Sequence, residues 1–460
     1  MKARALAAFF ALSSVAVPFA LGALAARWWL ARAPAHLAID LAQPLVVVTA
    51  WGGYGGVCFA ILALTIVCAT IALLLAAGRL TSAALGARSE LAIVVSVAAL
   101  ALACALFWPF VFSSDTYAYA AFGAMAQAGL DPYAPVPAAA HGAFVDAARW
   151  QWSGVFPVCV YGPVFVALAR SAVRLTAQAG VGTTLWSLRG IAVLSFLASI
   201  ALLGIALDAW PARRRLLALC AYGLNPVILW SVAEGHNDAL VGLVLASAAT
   251  LARCRGYVLA GLLLGLTPLL KGSGAVLAAG AALGTWLEHR PGWRLLVVGI
   301  AAGSVLAAGI ALPPLRPALA ALGSRGHYQP QLSLQGLVGI WPAIALAVLA
   351  AAYGVRRLWG SFPDGYAWLG IGLVAGLPNP YPWYALWIVP WAIAGGETLA
   401  AGCLWLATIF SVLRYLPDAT GNMGTTALRV AAAVAVVPLA LVLAGLGSFS
   451  TARKKAVVQP

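Results

Sequence analysis

The stretch YGPVFVALARSAVRLTAQ, residues 161–178, decides the fold, because counting it as a membrane span reverses the sidedness of everything after it. Arg170 and Arg174 lie one helical turn apart in its middle and share a face. Two guanidinium groups at bilayer depth cost several kcal/mol. The segment therefore reads as an amphipathic helix lying at the membrane surface.

The rest of the chain is built for lipid. Of 460 residues, 63% are hydrophobic and 8% charged, where a soluble surface needs roughly a quarter charged. The net charge of +15 comes with no basic face or RNA-binding motif, so nucleic acid is not an expected partner. The seven cysteines form no CxxC pair and indicate neither a disulfide framework nor zinc. Fourteen apolar runs are candidate spans, near 5–26, 55–77, 91–112, 186–208, 216–232, 239–252, 256–270, 273–287, 295–313, 334–354, 365–378, 382–395, 398–416 and 425–447. With 161–178 left out, the short loops on one side hold most of the 27 cations, among them Arg79, Arg88, Arg213 to Arg215, Arg290, Arg294, Arg356 and Arg357. Those loops are cytoplasmic. A cleaved signal peptide is the alternative for the first span, but its run of about 21 apolar residues exceeds the usual length.

This predicts an all-α polytopic membrane protein, 1–460 as one domain, multi-pass in the cytoplasmic (inner) membrane. A large exoplasmic loop, 113–185, carries interfacial helices, and a second spans 314–333. Asp115, Glu234 and Asp238 all fall on the exoplasmic side, an outcome that the span assignment did not use.

Three polar clusters sit there. In SSDTYAYAAFGAMAQAGLDPY, 113–133, Asp115 follows an aromatic run at the lipid boundary, with Gly129 as a helix stop and Asp131-Pro132 as a turn. Ser113, Ser114 and Asp115 are equally good N-caps, so a capping role stands beside a chemical one. In NPVILWSVAEGHNDAL, 225–240, four polar residues (Glu234, His236, Asn237, Asp238) lie between apolar helices. Gly235 as a stop with Asn237 or Asp238 as a cap explains part of this, yet boundary carboxylates are functional candidates by default. Lys271 either snorkels to the interface or meets an anionic group. Arg325, His327 and Tyr328 lie in the second loop, and NPYPWY, 379–384, opens the twelfth run; an aromatic belt accounts for the rings.

Together these stretches resemble the GT-C superfamily of integral-membrane glycosyltransferases, and within it the polyprenyl-phosphate-mannose-dependent α-(1→6)-mannopyranosyltransferases. The resemblance rests on Ser113, Asp115, Tyr117 and Tyr119, on Gly129 to Tyr133, on Tyr161-Gly162-Pro163, on Asn225-Pro226 leading to His236-Asn237-Asp238, on Lys271, and on Pro382-Trp383-Tyr384. It implies a GT-C-like bundle with Asp115 as the catalytic carboxylate. Substrate binding would then fall to Tyr117, Tyr119, Asp131, Tyr133, Tyr161, His236, Asn237, Asp238, Lys271, Arg325, His327, Trp383 and Tyr384. The implied partners are a polyprenyl-phosphate-linked sugar donor, a glycolipid or glycan acceptor and membrane lipid. Transfer through an oxocarbenium-like state needs one base opposite the leaving phosphate, with a cation, Lys271 first, facing that phosphate. Glu234 and Asp238 are candidate ligands for a divalent cation, Mg or Mn. The rival reading, a transporter or flippase of a lipid-linked sugar, predicts charges at mid-helix and a midplane site, whereas these acids gather at one face.

Overall fold

The computed structural model describes residues 2–32, 53–80, 86–109, 112–113, 115–134, 141–142, 144–146, 158–324, 333–378, 380–416, 419, 424–425, 429–430 and 432–434. Among them every regular element is a helix, with one isolated antiparallel bridge. The chain groups into two compact units, residues 1–327 with 419–421 and residues 328–418 with 422–460, where the sequence reads as one domain.

The first unit opens with α1 (Lys2–Ser13) and α2 (Ala16–Leu30), α3 (Gly53–Leu80) and α4 (Ala87–Ala105). The short α5 (Asp115–Gln127) and α6 (Pro163–Thr176) pack on each other, followed by α7 (Val181–Ala206). Next come α8 (Ala212–Gly223), α9 (Pro226–Ala233), α10 (Asp238–Arg253), α11 (Tyr257–Leu266), α12 (Ser273–Leu287) and α13 (Trp293–Ser324). The second unit holds α14 (Leu334–Val338), α15 (Ile340–Trp359), α16 (Gly365–Gly376), α17 (Ala385–Ala394) and α18 (Leu399–Phe410).

Six described helices are long and apolar enough to cross a membrane, and a seventh if α8 and α9 count as one span bent by 40°. The sequence reading of about fourteen spans is higher because it admits runs that fold as helices of 10–17 residues, such as α12 and α16. The 425–447 run lies mostly outside the described residues. The 334–354 run is split by Gly339 into α14 and α15, and the 91–112 run stops being α-helical at Ala105. Residues 314–324, expected as loop, continue α13, whose Ala-rich sequence propagates past the bonds that Pro313, Pro314 and Pro317 cannot make.

Two elements show how the sequence builds the frame. Helices α11 and α13 face each other through two GxxxG pairs, Gly261/Gly265 and Gly299/Gly303. A Cβ at Gly261 would stand 2.1 Å from the Leu296 carbonyl oxygen, so only glycine lets these backbones touch. Between α4 and α8, Glu90 and Arg215 form a buried ion pair at 2.7 Å, and Arg215 also donates to the Asp208 and Trp210 carbonyls. Arg215, read from sequence as a loop cation, is thus an internal strut.

Candidate active site

The site is assembled from the ends of α5, α9, α10 and the turn before α12. Asp115 is the first residue of α5, and its carboxylate does not cap that helix. Its Oδ2 faces the Tyr119 hydroxyl at 3.4 Å, one turn on, and His236 Nδ1 at 3.4 Å. Serine supplies the local support instead: Ser113 Oγ accepts the Asp115 backbone N–H at 3.3 Å. The Tyr119 hydroxyl also reaches Asn237 Oδ1 at 3.2 Å. Burial holds that phenol well above its ordinary pKa, so it stays protonated, with one hydrogen for the two oxygens to share.

The α9–α10 turn delivers the second set of groups. Asn225 caps α9 by accepting from the Val227 and Ile228 N–H groups, with Pro226 in the first turn, which accounts for the Asn-Pro pair. Gly235 ends the helix at φ +87°, as expected. Asn237 stands at the N-cap position of α10, but its side chain makes no cap bond and turns to Tyr119. His236 is sealed between two carboxylates, with Nδ1 towards Asp115 and Nε2 towards Glu234 at 3.5 Å. Burial alone pulls the imidazole pKa down, but hydrogen bonding and charge from Asp115 and Glu234 reverse this and leave it above its ordinary value. Burial pushes the Glu234 carboxyl up, against the opposing pull of His236 and Arg189.

Lys271 completes the cluster. Its ammonium lies 2.6 Å from Asp238 Oδ2, 3.5 Å from Asn237 Oδ1 and 5.7 Å from the centre of the Tyr161 ring. The backbones of Tyr161 and Lys271 form the isolated bridge, and the Gly162 N–H donates to the Leu270 carbonyl at 3.0 Å. A Cβ at Gly162 would lie 2.1 Å from the Leu269 oxygen. The Tyr-Gly-Pro motif thus has a physical meaning: Tyr161 contributes the ring, Gly162 permits the approach, and Pro163 starts α6. Tyr119, Tyr161 and Phe165 meet edge to face at 4.9–5.2 Å and wall this side of the site.

Asp115 lies 3.4 Å from His236, so the two polar clusters meet in one place. On α6, Phe165, Val166, Ala169, Ala172 and Thr176 are buried while Arg170 and Arg174 are exposed.

The other expected site residues have these surroundings. Tyr117 packs near Phe144, and Asp131, exposed, accepts the Tyr133 N–H at 2.9 Å in a turn of the kind that Asp-Pro predicts. Tyr133 is buried in the same aromatic cluster as Tyr119 and Tyr161. Trp383 and Tyr384 belong to the second unit, in a 3-10 turn where Tyr381 stacks on Trp383 at 4.4 Å and Arg414 donates to the Tyr381 hydroxyl. Arg325 and His327 lie outside the described residues. Thr116 and Arg189, which the sequence reading overlooks, join the site from behind: Thr116 donates to the Glu234 carbonyl and Arg189 to that of Ala233, each at 2.6 Å.

Among the described residues no group of three or more His, Cys, Asp or Glu is arranged to hold an ion. Asp238, one of the two expected ligands, faces the Lys271 ammonium at 2.6 Å.

A family model described as alpha-(1->6)-mannopyranosyltransferase, N-terminal domain, matches residues 16–288, a range that contains Asp115, the 234–238 turn and Lys271. The chain belongs to the alpha-(1->6)-mannopyranosyltransferase family. It is also similar to alpha-(1->6)-mannopyranosyltransferase A of Mycobacterium tuberculosis, 27% identical over 369 residues, which is 68% of this chain and 67% of that protein. No solved structure matches. The family match ends before the second unit, so the expected roles of Trp383 and Tyr384 draw no support from it.

Proposed function

We propose that this chain is a membrane mannosyltransferase that moves mannose from a polyprenyl-phosphate donor to a hydroxyl of a glycolipid or glycan acceptor, on the exoplasmic face and with inversion. The observation that carries the reading is the geometry of Asp115. Both Tyr119 and His236 act on Oδ2, leaving Oδ1 to receive a proton. Asp115 is also the most exposed carboxylate of the cluster, with 12% of its side chain accessible against 4% for Glu234 and none for Asp238. In the step, the acceptor hydroxyl gives its proton to Asp115 as its oxygen bonds the anomeric carbon. The bond from that carbon to the phosphate oxygen breaks, and the electron pair leaves with the phosphate. Attack opposite a β-linked phosphate gives an α-mannoside. Lys271, anchored on Asp238, is the cation that faces the charge growing on the leaving phosphate.

The test is to incubate the detergent-purified protein with polyprenyl phosphomannose and host glycolipids, reading products by mass spectrometry. A new mannosylated lipid carrying an α linkage is the expected product; release of free mannose alone, or retention of configuration, would overturn the reading. The facing is checked separately. A cysteine replacing His141, which is exposed, should react with an impermeant reagent from outside intact cells, and one replacing Arg214 should not. The reverse pattern would put the site on the cytoplasmic face.

A further inference from the structure

Resting on Asp115 as the base, we propose that Arg189 and Thr116 clamp the α9–α10 turn and act as positioning residues that hold His236 against Asp115. Arg189 is 1% exposed and the one charged residue of its helix, a placement that is costly unless the guanidinium is fully engaged. It donates through Nε to the Ala233 carbonyl and through Nη2, at 3.1 Å, to that of Leu106. Both oxygens belong to helix ends, α9 and α4, where no intrahelical partner exists. These are the two helices that lead into His236 and Asp115. One planar fork therefore sets the spacing between the supports of the two groups, a task that a single donor cannot perform.

Thr116 holds the same turn from the other side. It follows Asp115 directly, and its hydroxyl takes the next carbonyl along, that of Glu234. Between the two grips sits Gly235, where a Cβ would stand 2.8 Å from Thr116 Oγ1 and 3.2 Å from Arg189 Cγ. Neither gripping side chain is offered to a substrate, since Thr116 is 3% exposed and Arg189 less. Loosening the clamp should therefore change the rate of transfer and leave donor recognition alone. A shift of about 1 Å in a reacting group costs on the order of a hundredfold, so a partial release should cost about tenfold.

The experiment compares Arg189→Lys, Arg189→Gln, Thr116→Val, Thr116→Ser and Asp115→Asn in the full-length protein, measuring kcat, donor KM and thermal stability with polyprenyl phosphomannose. Arg189→Lys keeps the charge but loses the fork, and Thr116→Val keeps the volume but loses the hydroxyl. Each is expected to lower kcat about tenfold or more with donor KM within about twofold, and Thr116→Ser to restore the rate. Wild-type kcat in Thr116→Val and in folded Arg189→Lys overturns the clamp. A loss that appears in KM instead of kcat overturns it as well. Should the Arg189 variants fail to fold, Thr116→Val decides: a wild-type rate there leaves Arg189 with structure alone. Asp115→Asn separates the two readings, because full transfer by that protein removes the base assignment whatever the clamp variants do.

Discussion

Replacing Asp115 with Asn is expected to leave expression, thermal stability and donor binding near wild type while lowering single-turnover transfer by about a hundredfold or more. The substitution discriminates because Asn serves a helix N-terminus as well as Asp does, so a role confined to α5 would cost only a few tenths of a kcal/mol. The carboxylate is in any case turned away from the backbone of its own helix, towards Tyr119 and His236. An amide keeps the shape and accepts the Tyr119 hydrogen bond, but it cannot take a proton from an acceptor hydroxyl near neutral pH. Asp115→Glu should fall between, since the charge survives but moves by about one methylene. Saturating donor and the three proteins side by side give the measurement. Near wild-type transfer by the Asn protein would move the base to another carboxylate of the cluster.

The sequence made the site legible where chemistry is concentrated. A lone acid after an aromatic run, and four polar residues packed between apolar helices, demand more explanation than turns and caps supply, and the structure brings both together with Lys271 and Tyr161. Gly129 and Gly235 were readable as helix stops because only their left-handed backbone fits those ends, φ +76° and +87°. The two arginines on one face of the 161–178 stretch both lie exposed on α6 (Pro163–Thr176). Less legible were features whose meaning depends on a distant partner. Arg189 lies within an apolar run like a misplaced charge, and nothing local announces that its two acceptors are 44 and 83 residues away. Arg215 looked like one more sidedness cation, because its partner Glu90 is 125 positions distant. The span count is higher than the number of long apolar helices among the described residues for a related reason. Hydropathy sees an apolar run of 15 residues and a spanning helix alike, whereas the fold contains short apolar helices such as α12.

Lys271 and Asp238 make the second large effect, and their pairing changes how it must be tested. Lys271→Met alone is expected to destabilise the protein by about 3–5 kcal/mol, because it removes the cation from an ion pair whose carboxylate has no exposed surface. A loss of donor binding in that protein would be ambiguous between a missing phosphate contact and a collapsed turn. Adding Asp238→Asn removes the buried negative charge that Lys271 balances, so the double variant should regain most of the lost stability while keeping the Lys271 ammonium absent. If that ammonium meets the donor phosphate, the double variant still binds polyprenyl phosphomannose about tenfold or more weakly, the worth of a charge-assisted contact of about 1.5–3 kcal/mol. Binding is read by displacement of a labelled donor, and stability by thermal unfolding of the four proteins of the cycle. Wild-type affinity in the double variant would confine Lys271 to neutralising Asp238 and fixing the turn that bridges to Tyr161. The cation opposite the leaving phosphate would then have to be sought among other arginine and lysine residues on the same face.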